Sequence, residues 1–308
     1  MFANEFIFLG LSRNWSTQHW LFVLFLAMYI ITLAGNALII TVIWLDPRLD
    51  TPMYFFLGNL SFLNICYTTS VVPQMLIHFL AQHKVISFSR CTAQLFVSLS
   101  LGGIEFILLA TMAYDRYVAI CNPLHYTAIM SKRVCIQLAA SSWAVGFLSS
   151  LVQTAFTMHL RFCGLPALNH FVCELLAVVK VACSDTYINE AVIVVAGVVV
   201  LLVPCFMVLV SYIYIISSIL RIHSSRGRYK AFSTCASHLT VVTLCYGTAI
   251  FAYMRLKGGH LSANLDKMIS LFYAIITPML NPIIYSLRNQ EVKGALVKTI
   301  GKLTSLRQ

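Results

Sequence analysis

Charge is what this sequence has least of. Asp, Glu, Lys and Arg make up 10% of its 308 residues, against 59% hydrophobic, and the mean hydropathy is +0.84. Soluble domains are about one-quarter charged, so this composition cannot cover the surface of a water-soluble globule. It also excludes a disordered chain, which is poor in apolar residues. Catalytic signatures are missing as well. No helix face carries the two His and one Glu of a zinc protease, and Gly258-Gly259 stands apart from any Gly-rich turn ending in Lys. No nucleic-acid-binding motif is present. A single carboxylate, Glu105, lies deep in an apolar stretch, and the second half of the chain does not repeat the first. Transporters and pumps use several such charges and paired broken helices. No low-complexity tract, linker or soluble domain interrupts the apolar segments, and the longest connection runs roughly from Arg161 to Glu190.

What the chain does contain is apolar blocks of the length, about 20 residues, that crosses a bilayer. Six lack Asp, Glu, Lys and Arg altogether: Trp20 to Trp44, Met53 to Leu80, Cys135 to Leu160, Ala191 to Leu220, Ala231 to Met254 and Met268 to Leu287. The seventh, Cys91 to Tyr114, holds only Glu105. Barrel strands would alternate over about ten residues instead. The expected fold is therefore an all-α membrane protein, a seven-transmembrane helix bundle forming one domain over 1–308. Residues 1–19 make an extracellular N-terminus, 20–287 the bundle and 288–308 a cytoplasmic tail. In that tail Val292, Leu296, Ile300 and Leu303 recur at helical spacing with Lys293, Lys298 and Lys302 between them. A short amphipathic C-terminal helix on the inner leaflet is expected, weakened by Gly294 and Gly301.

Lys and Arg collect on the cytoplasmic side of short loops. With the N-terminus outside, thirteen of the twenty-one lie inside, including Arg116, Arg221, Arg226, Arg228 and Lys230. The net charge of +11 then points to anionic membrane lipids or an acidic cytosolic partner and not to nucleic acid. The first 19 residues are too short and polar for a separate cleaved signal peptide, so the first helix is expected to act as the insertion signal. Asn14-Trp15-Ser16 is a glycosylation acceptor on the lumenal side, in agreement with that orientation.

Four of the ten cysteines, Cys91, Cys163, Cys173 and Cys183, fall where an oxidising exterior favours disulfides. Four cysteines allow three pairings, and free buried thiols are the alternative. A tie from Cys91 to the loop would pin that loop over the mouth of the bundle. Cys66, Cys121, Cys135, Cys205, Cys235 and Cys245 read as apolar packing. His170-Phe171-Val172-Cys173-Glu174 has the residue types of a metal site, but a Cys173 held in a disulfide has no thiolate to give.

The most distinctive residues lie at the inner ends of the helices. Asp115-Arg116-Tyr117 closes the third, where the carboxylate can hold Arg116 inward until helices part; an exposed ion pair is the alternative. Asn281-Pro282-Ile283-Ile284-Tyr285 in the seventh removes one backbone hydrogen bond and predicts a kink. Together with Gly35-Asn36, Trp143, Pro204 and Tyr212, these motifs resemble the rhodopsin-like G-protein-coupled receptors along the whole chain. Longer strings resemble the olfactory receptor family within that class. They are Pro52-Met53-Tyr54-Phe55-Phe56-Leu57, Met112 through Cys121, Lys230-Ala231-Phe232-Ser233-Thr234-Cys235-Ala236-Ser237-His238, and Pro278-Met279-Leu280-Asn281-Pro282 continuing to Arg288-Asn289.

That resemblance implies disulfides Cys91–Cys173 and Cys163–Cys183. It implies a switch made of Asp115, Arg116, Tyr117, Tyr212, His238, Asn281, Pro282 and Tyr285. It also implies a receptor in the plasma membrane that binds small-molecule odorants and activates a stimulatory, olfactory-type heterotrimeric G protein, raising cAMP, without enzymatic activity. One position departs from the pattern. The family usually carries Asp in the middle of helix two, where this chain has Asn64 in Leu60-Ser61-Phe62-Leu63-Asn64. Either Glu105 with Asn64 supports a weak sodium site, or Glu105 is protonated, because a lone buried carboxylate is costly to ionise.

Helical phase places the ligand in the outer half. Ser98, Leu99, Gly102 and Phe106 face inward on helix three, Gln153 on helix four, and Ala196, Gly197 and Val200 on helix five. Helix six offers Tyr246, Ala249, Ile250 and Tyr253, and helix seven Ala274. No charge lies on these outer faces, and Ser98 stands where aminergic relatives carry Asp. The expected ligands are small, neutral and mostly apolar, oriented by Ser98 or a tyrosine hydroxyl. A peptide or lipid receptor is the runner-up within the class.

Overall fold

Caps and prolines mark where the apolar blocks become helices. In the computed structural model, which describes residues 5–11, 14–164, 166–254, 263–288 and 292–295, seven helices are long and apolar enough to cross a membrane. Helix one (Trp15–Leu45) begins five residues ahead of its apolar block, because the Asn14 side chain accepts the Ser16 N–H at 3.0 Å. Helix two (Pro52–Leu80) starts on a proline, whose missing N–H would have had no helical partner there. Helix three (Phe88–Cys121) is capped by Ser87, which accepts the Arg90 N–H. Helix four is Lys132–Met158, helix five Tyr187–Leu220 and helix six Ser225–Met254. Helix seven runs as Ala263–Leu271, a π turn Phe272–Ile276, and Thr277–Arg288.

Helix five is broken in the same manner by a π turn at Val198–Leu202, just before Pro204. Both prolines, Pro204 and Pro278, lack the N–H that would bond the carbonyl four residues back, and the helix absorbs the loss by widening one turn. Each wide turn rotates the residues that follow it, which matters for the cavity described below.

Helix three is the axle of the bundle, packed against helices two, four, five and six. Its closest approach is to helix four, where a Cβ on Gly146 would lie 3.0 Å from the Ser100 carbonyl oxygen and 3.1 Å from the Ile104 nitrogen, and against the Ile104 side chain. Such close contact between backbones is how small residues join helices in lipid. Helix one is peripheral: 22% of its apolar window is buried against 56% for helices two and three, so lipid must cover the rest. Trp20 and Trp44, near its two ends, are exposed, as tryptophans that anchor a helix at the two membrane interfaces are.

The N-terminal segment is more structured than its polar sequence suggests. Strand β1 (Glu5–Phe8) lies between β2 (Val85–Ser87), to which it is antiparallel, and β3 (Ala167–Leu168), to which it is parallel. Phe6 and Phe8 point down into a second apolar core with Ile86, Leu95, Phe162 and Leu168. Gly10, with φ of 67°, turns the chain so that its carbonyl accepts Lys267 Nζ at 2.7 Å. In the tail, helix is described only over 292–295, where Val292 and Ala295 are buried; Leu296, Lys298, Ile300, Lys302 and Leu303 lie outside the described residues.

Candidate functional site: a roofed cavity above a polar latch

A cavity of about 190 Å³ opens between the helices in the outer half of the bundle. About 150 Å³ suffices to hold benzene, so the space suits a small organic molecule. Eight of the residues assigned by helical phase line it: Ser98, Leu99, Gly102, Phe106, Gln153, Val200, Ala249 and Ala274. Ala196 and Gly197 do not. The π turn at Val198–Leu202 breaks the constant phase that joined Val200 to Ala196 and Gly197, so Ile193 and Leu201 line the cavity with Val200 instead. Tyr246 and Ile250 also stand behind the wall. The Tyr246 hydroxyl donates to the Phe106 carbonyl at 2.7 Å, while Cys245, Ala249 and Ala252 present the inward stripe of helix six. The side chain of Tyr253 lies outside the described residues.

The roof comes from the loop between helices four and five, which helical phase could not place. The structure joins Cys91 to Cys173 with Cα atoms 5.5 Å apart, and Cys163 to Cys183 at 6.1 Å. The first bond draws Val172, Cys173, Glu174 and Leu175 over the mouth, where all four line the cavity. The available signal was their adjacency to a cysteine tied to the top of helix three. Gln94 reinforces this anchor by accepting the Cys173 N–H at 3.0 Å. Glu174 is the charged member of the roof. Its Oε2 lies 2.8 Å from His170 Nε2 and accepts the Ser270 hydroxyl at 3.1 Å. Burial pushes the Glu174 carboxyl up, but these hydrogen bonds and the charges of His170 and Lys180 outweigh it and hold the group below its usual range. Helix faces alone suggested a cavity free of charge above Glu105; the loop supplies one.

At the floor, Glu105 accepts the Cys245 thiol at 3.5 Å. Asn64 Nδ2 donates to Asn36 Oδ1 at 3.2 Å, and Asn36 in turn donates to the carbonyls of Thr32 and Pro278. This ties helices one, two and seven where Pro278 has disturbed the helix. Asn64 Oδ1, both side-chain polar atoms of Asn281 and the Tyr285 hydroxyl are buried without a partner among the described residues. A hard cation takes oxygen ligands. The Glu105 carboxylate and Asn64 Oδ1 are donors of that type, so the residues fit a weakly held sodium ion. No cluster of three or more His, Cys, Asp or Glu suited to a metal occurs among the described residues, and Cys173 of the His170–Glu174 string is committed to its disulfide.

The inner half is latched shut. His238 Nε2 donates to the Leu109 carbonyl at 3.1 Å, which leaves Nδ1 as the acceptor of the Tyr212 hydroxyl at 2.7 Å. Helices three, five and six are thereby joined through one imidazole. Arg116 is half-buried at the inner end of helix three, beside Asp115. Asp115 does not hold Arg116 in an ion pair, as the motif had suggested. Its carboxylate instead accepts the Tyr126 hydroxyl at 2.8 Å, from the loop that follows helix three. Tyr117 packs on Tyr214 of helix five at 5.8 Å, and Pro282 packs beside Gly35.

The bundle thus holds a ligand-sized cavity in its outer half and a hydrogen-bonded link between helices three, five and six in its inner half. Comparison with known proteins shows the family. The family model described as olfactory receptor matches residues 25–302. Olfactory receptor 2F1 of Homo sapiens is 59% identical over 306 residues, covering 99% of this chain and 96% of that protein. Olfactory receptor-like protein OLF3 of Canis lupus familiaris is 57% identical over 304 residues, with 99% and 96% covered. Olfactory receptor 13D1 of Homo sapiens is 52% identical over 299 residues, with 97% and 86% covered. This chain is a multi-pass membrane receptor and not an enzyme, and it belongs to the olfactory receptor family.

Proposed function

We propose that this receptor binds small, neutral, mostly apolar volatile molecules in the roofed cavity and activates a stimulatory, olfactory-type heterotrimeric G protein, raising cAMP. The observation that carries the reading is the cavity itself, about 190 Å³ and walled largely by apolar side chains, set above the Tyr212–His238 latch. A ligand shifts the receptor only by its differential affinity for the closed and open arrangements. A molecule that draws helix six toward helix three at Phe106 and Ala249 favours a new tilt of helix six, and its inner end then leaves Tyr212. Arg116 and the basic residues Arg221, Arg226 and Arg228 would meet the G protein in the space so opened.

The receptor works as a single seven-transmembrane domain over 1–308 in the plasma membrane, N-terminus outside and glycosylated at Asn14, among anionic inner-leaflet lipids that favour its Lys and Arg excess. Glu105 and Asn64 hold sodium weakly at the floor, and the ion adds a positive charge that favours the closed bundle. The test is a cAMP assay in cells expressing the receptor with an olfactory stimulatory G protein, screened against a broad panel of volatiles and controlled by surface labelling. Dose-dependent cAMP from small apolar compounds is expected. A receptor present at the surface and silent to the whole panel would refute the reading.

A further inference from the structure

The polar atoms of the cavity wall are nearly all committed to the protein. Ser98 donates to the Leu95 carbonyl at 3.2 Å, Thr277 to the Phe272 carbonyl at 3.2 Å, and Ser270 to Glu174. Gln94 gives its oxygen to Cys173 and its amide to Ser70. The Gln153 amide donates to Ser149. Two carboxylates also line it, Glu105 at the floor, which accepts the Cys245 thiol, and Glu174 in the roof. Both hydrogen bonds of Glu174 fall on Oε2, and its Oε1 has no donor among the described residues.

The His170 ring and Ser270 both address the same carboxylate oxygen. The ring Nδ1 accepts the Val172 N–H at 3.3 Å, so the ring proton sits on Nε2, where it points to Glu174 Oε2. Glu174 thus presents its second oxygen, Oε1, in the lining of a largely apolar chamber. A carboxylate is an acceptor only, and a hydrogen bond to it is about twice as strong as one between neutral groups.

We infer that Glu174 is the specificity-determining residue of the cavity and that the ligands it selects are small apolar alcohols, whose hydroxyl donates to the free Oε1. This deepens the odorant reading above and rests on it. Aldehydes, ketones and ethers bring acceptors and would set oxygen against oxygen. An ammonium would gain the attraction of the carboxylate but would give up the water on its other two N–H groups to an apolar wall, so the amine of each set separates charge pairing from hydroxyl recognition. The Gln153 side-chain oxygen is also open, but it is neutral and competes weakly for the same hydroxyl.

The inference has a built-in reversal. In Glu174→Gln, the amide oxygen takes the place of Oε2 beneath His170 and Ser270, and the amide nitrogen replaces Oε1. The cavity then offers a donor where it offered an acceptor. Matched sets on linear, cyclic and aromatic skeletons, each comprising an alcohol, the corresponding aldehyde or ketone, the methyl ether and the amine, are assayed for cAMP against wild type and Glu174→Gln at equal surface level.

Wild type should respond to the alcohol of an active skeleton at about tenfold to a hundredfold lower concentration than to its carbonyl or ether partner. In Glu174→Gln the order should narrow to parity or invert toward the carbonyl compound. A wild type that answers carbonyls or ethers as well as alcohols overturns the inference without any variant, which covers the case of a variant that fails to reach the surface. Amines outperforming alcohols would also overturn it, as would an unchanged order in Glu174→Gln. Silence of the surface-expressed wild type to every set would instead sink the odorant reading itself.

Discussion

Gly146→Ala is the smallest change that tests the packing of the bundle. The added Cβ would lie 3.0 Å from the Ser100 carbonyl oxygen and 3.1 Å from the Ile104 nitrogen, with the Ile104 side chain closer still. The side chain can turn away, but the two backbone atoms belong to helix three and move only if the helices part. Overpacking of this kind costs about 1–3 kcal/mol, and the usual gain of about 0.5–1 kcal/mol from replacing a helical glycine offsets only part of it. A net loss of about 1–2 kcal/mol lowers the folded-to-unfolded ratio about 5- to 30-fold. The control is Gly247→Ala in helix six, where no atom lies within 4 Å of the new Cβ, so it should match wild type or exceed it slightly. The readouts are surface level of an epitope-tagged receptor and the thermal midpoint of the detergent-solubilised protein. Ile104→Ala is itself costly at a fully buried site, but it also removes the side-chain part of the clash, so the double variant should lose less than the sum of the two single losses. Equal stability of Gly146→Ala and Gly247→Ala would refute the reasoning, since it would mean that helices three and four do not meet there.

Three further outcomes follow from the latch, the roof and the floor. Arg116→Ala should abolish ligand-evoked cAMP while surface expression stays near wild type, because no ion pair to Asp115 is lost in the closed state; normal signalling would contradict the role given to Arg116. Cys91→Ser and Cys173→Ser should lose surface expression equally, and the double variant should be no worse than either, whereas additive losses would show that the two are not partners. Asn64→Asp should strengthen sodium's suppression of the agonist response, measured with sodium replaced by a bulky organic cation at fixed ionic strength. The same change puts an acceptor opposite Asn36 Oδ1, now 3.2 Å from the Asn64 amide, so some stability should be lost when sodium is withdrawn. Equal sodium shifts in both proteins would mean that Asn64 does not tune the site.

The solvent, the number of spans and the family follow from the sequence by itself, because each is set by local chemistry. Apolar blocks must be about 20 residues long to satisfy a bilayer, whatever their neighbours do, and strings such as Met112 through Cys121 carry their own identity. The helix faces of the cavity were legible as far as an ideal helix holds, which is why Ser98, Gly102 and Ala249 were placed and Ala196 and Gly197 were not. Pro204 was visible in the chain, but how the helix would absorb its missing hydrogen bond depended on the packing around it, and the π turn broke the inward stripe.

The roof needed tertiary structure altogether. His170, Glu174 and Ser270 lie up to 100 residues apart, and nothing periodic in a loop announces which of its side chains will face down. The β1–β2–β3 cap, drawn from three separate segments, was hidden in the same manner. So was the partner of Asp115, because a motif records which residues are adjacent in the chain, while the choice between Arg116 and Tyr126 is made by the geometry of a loop that folds back on the helix end.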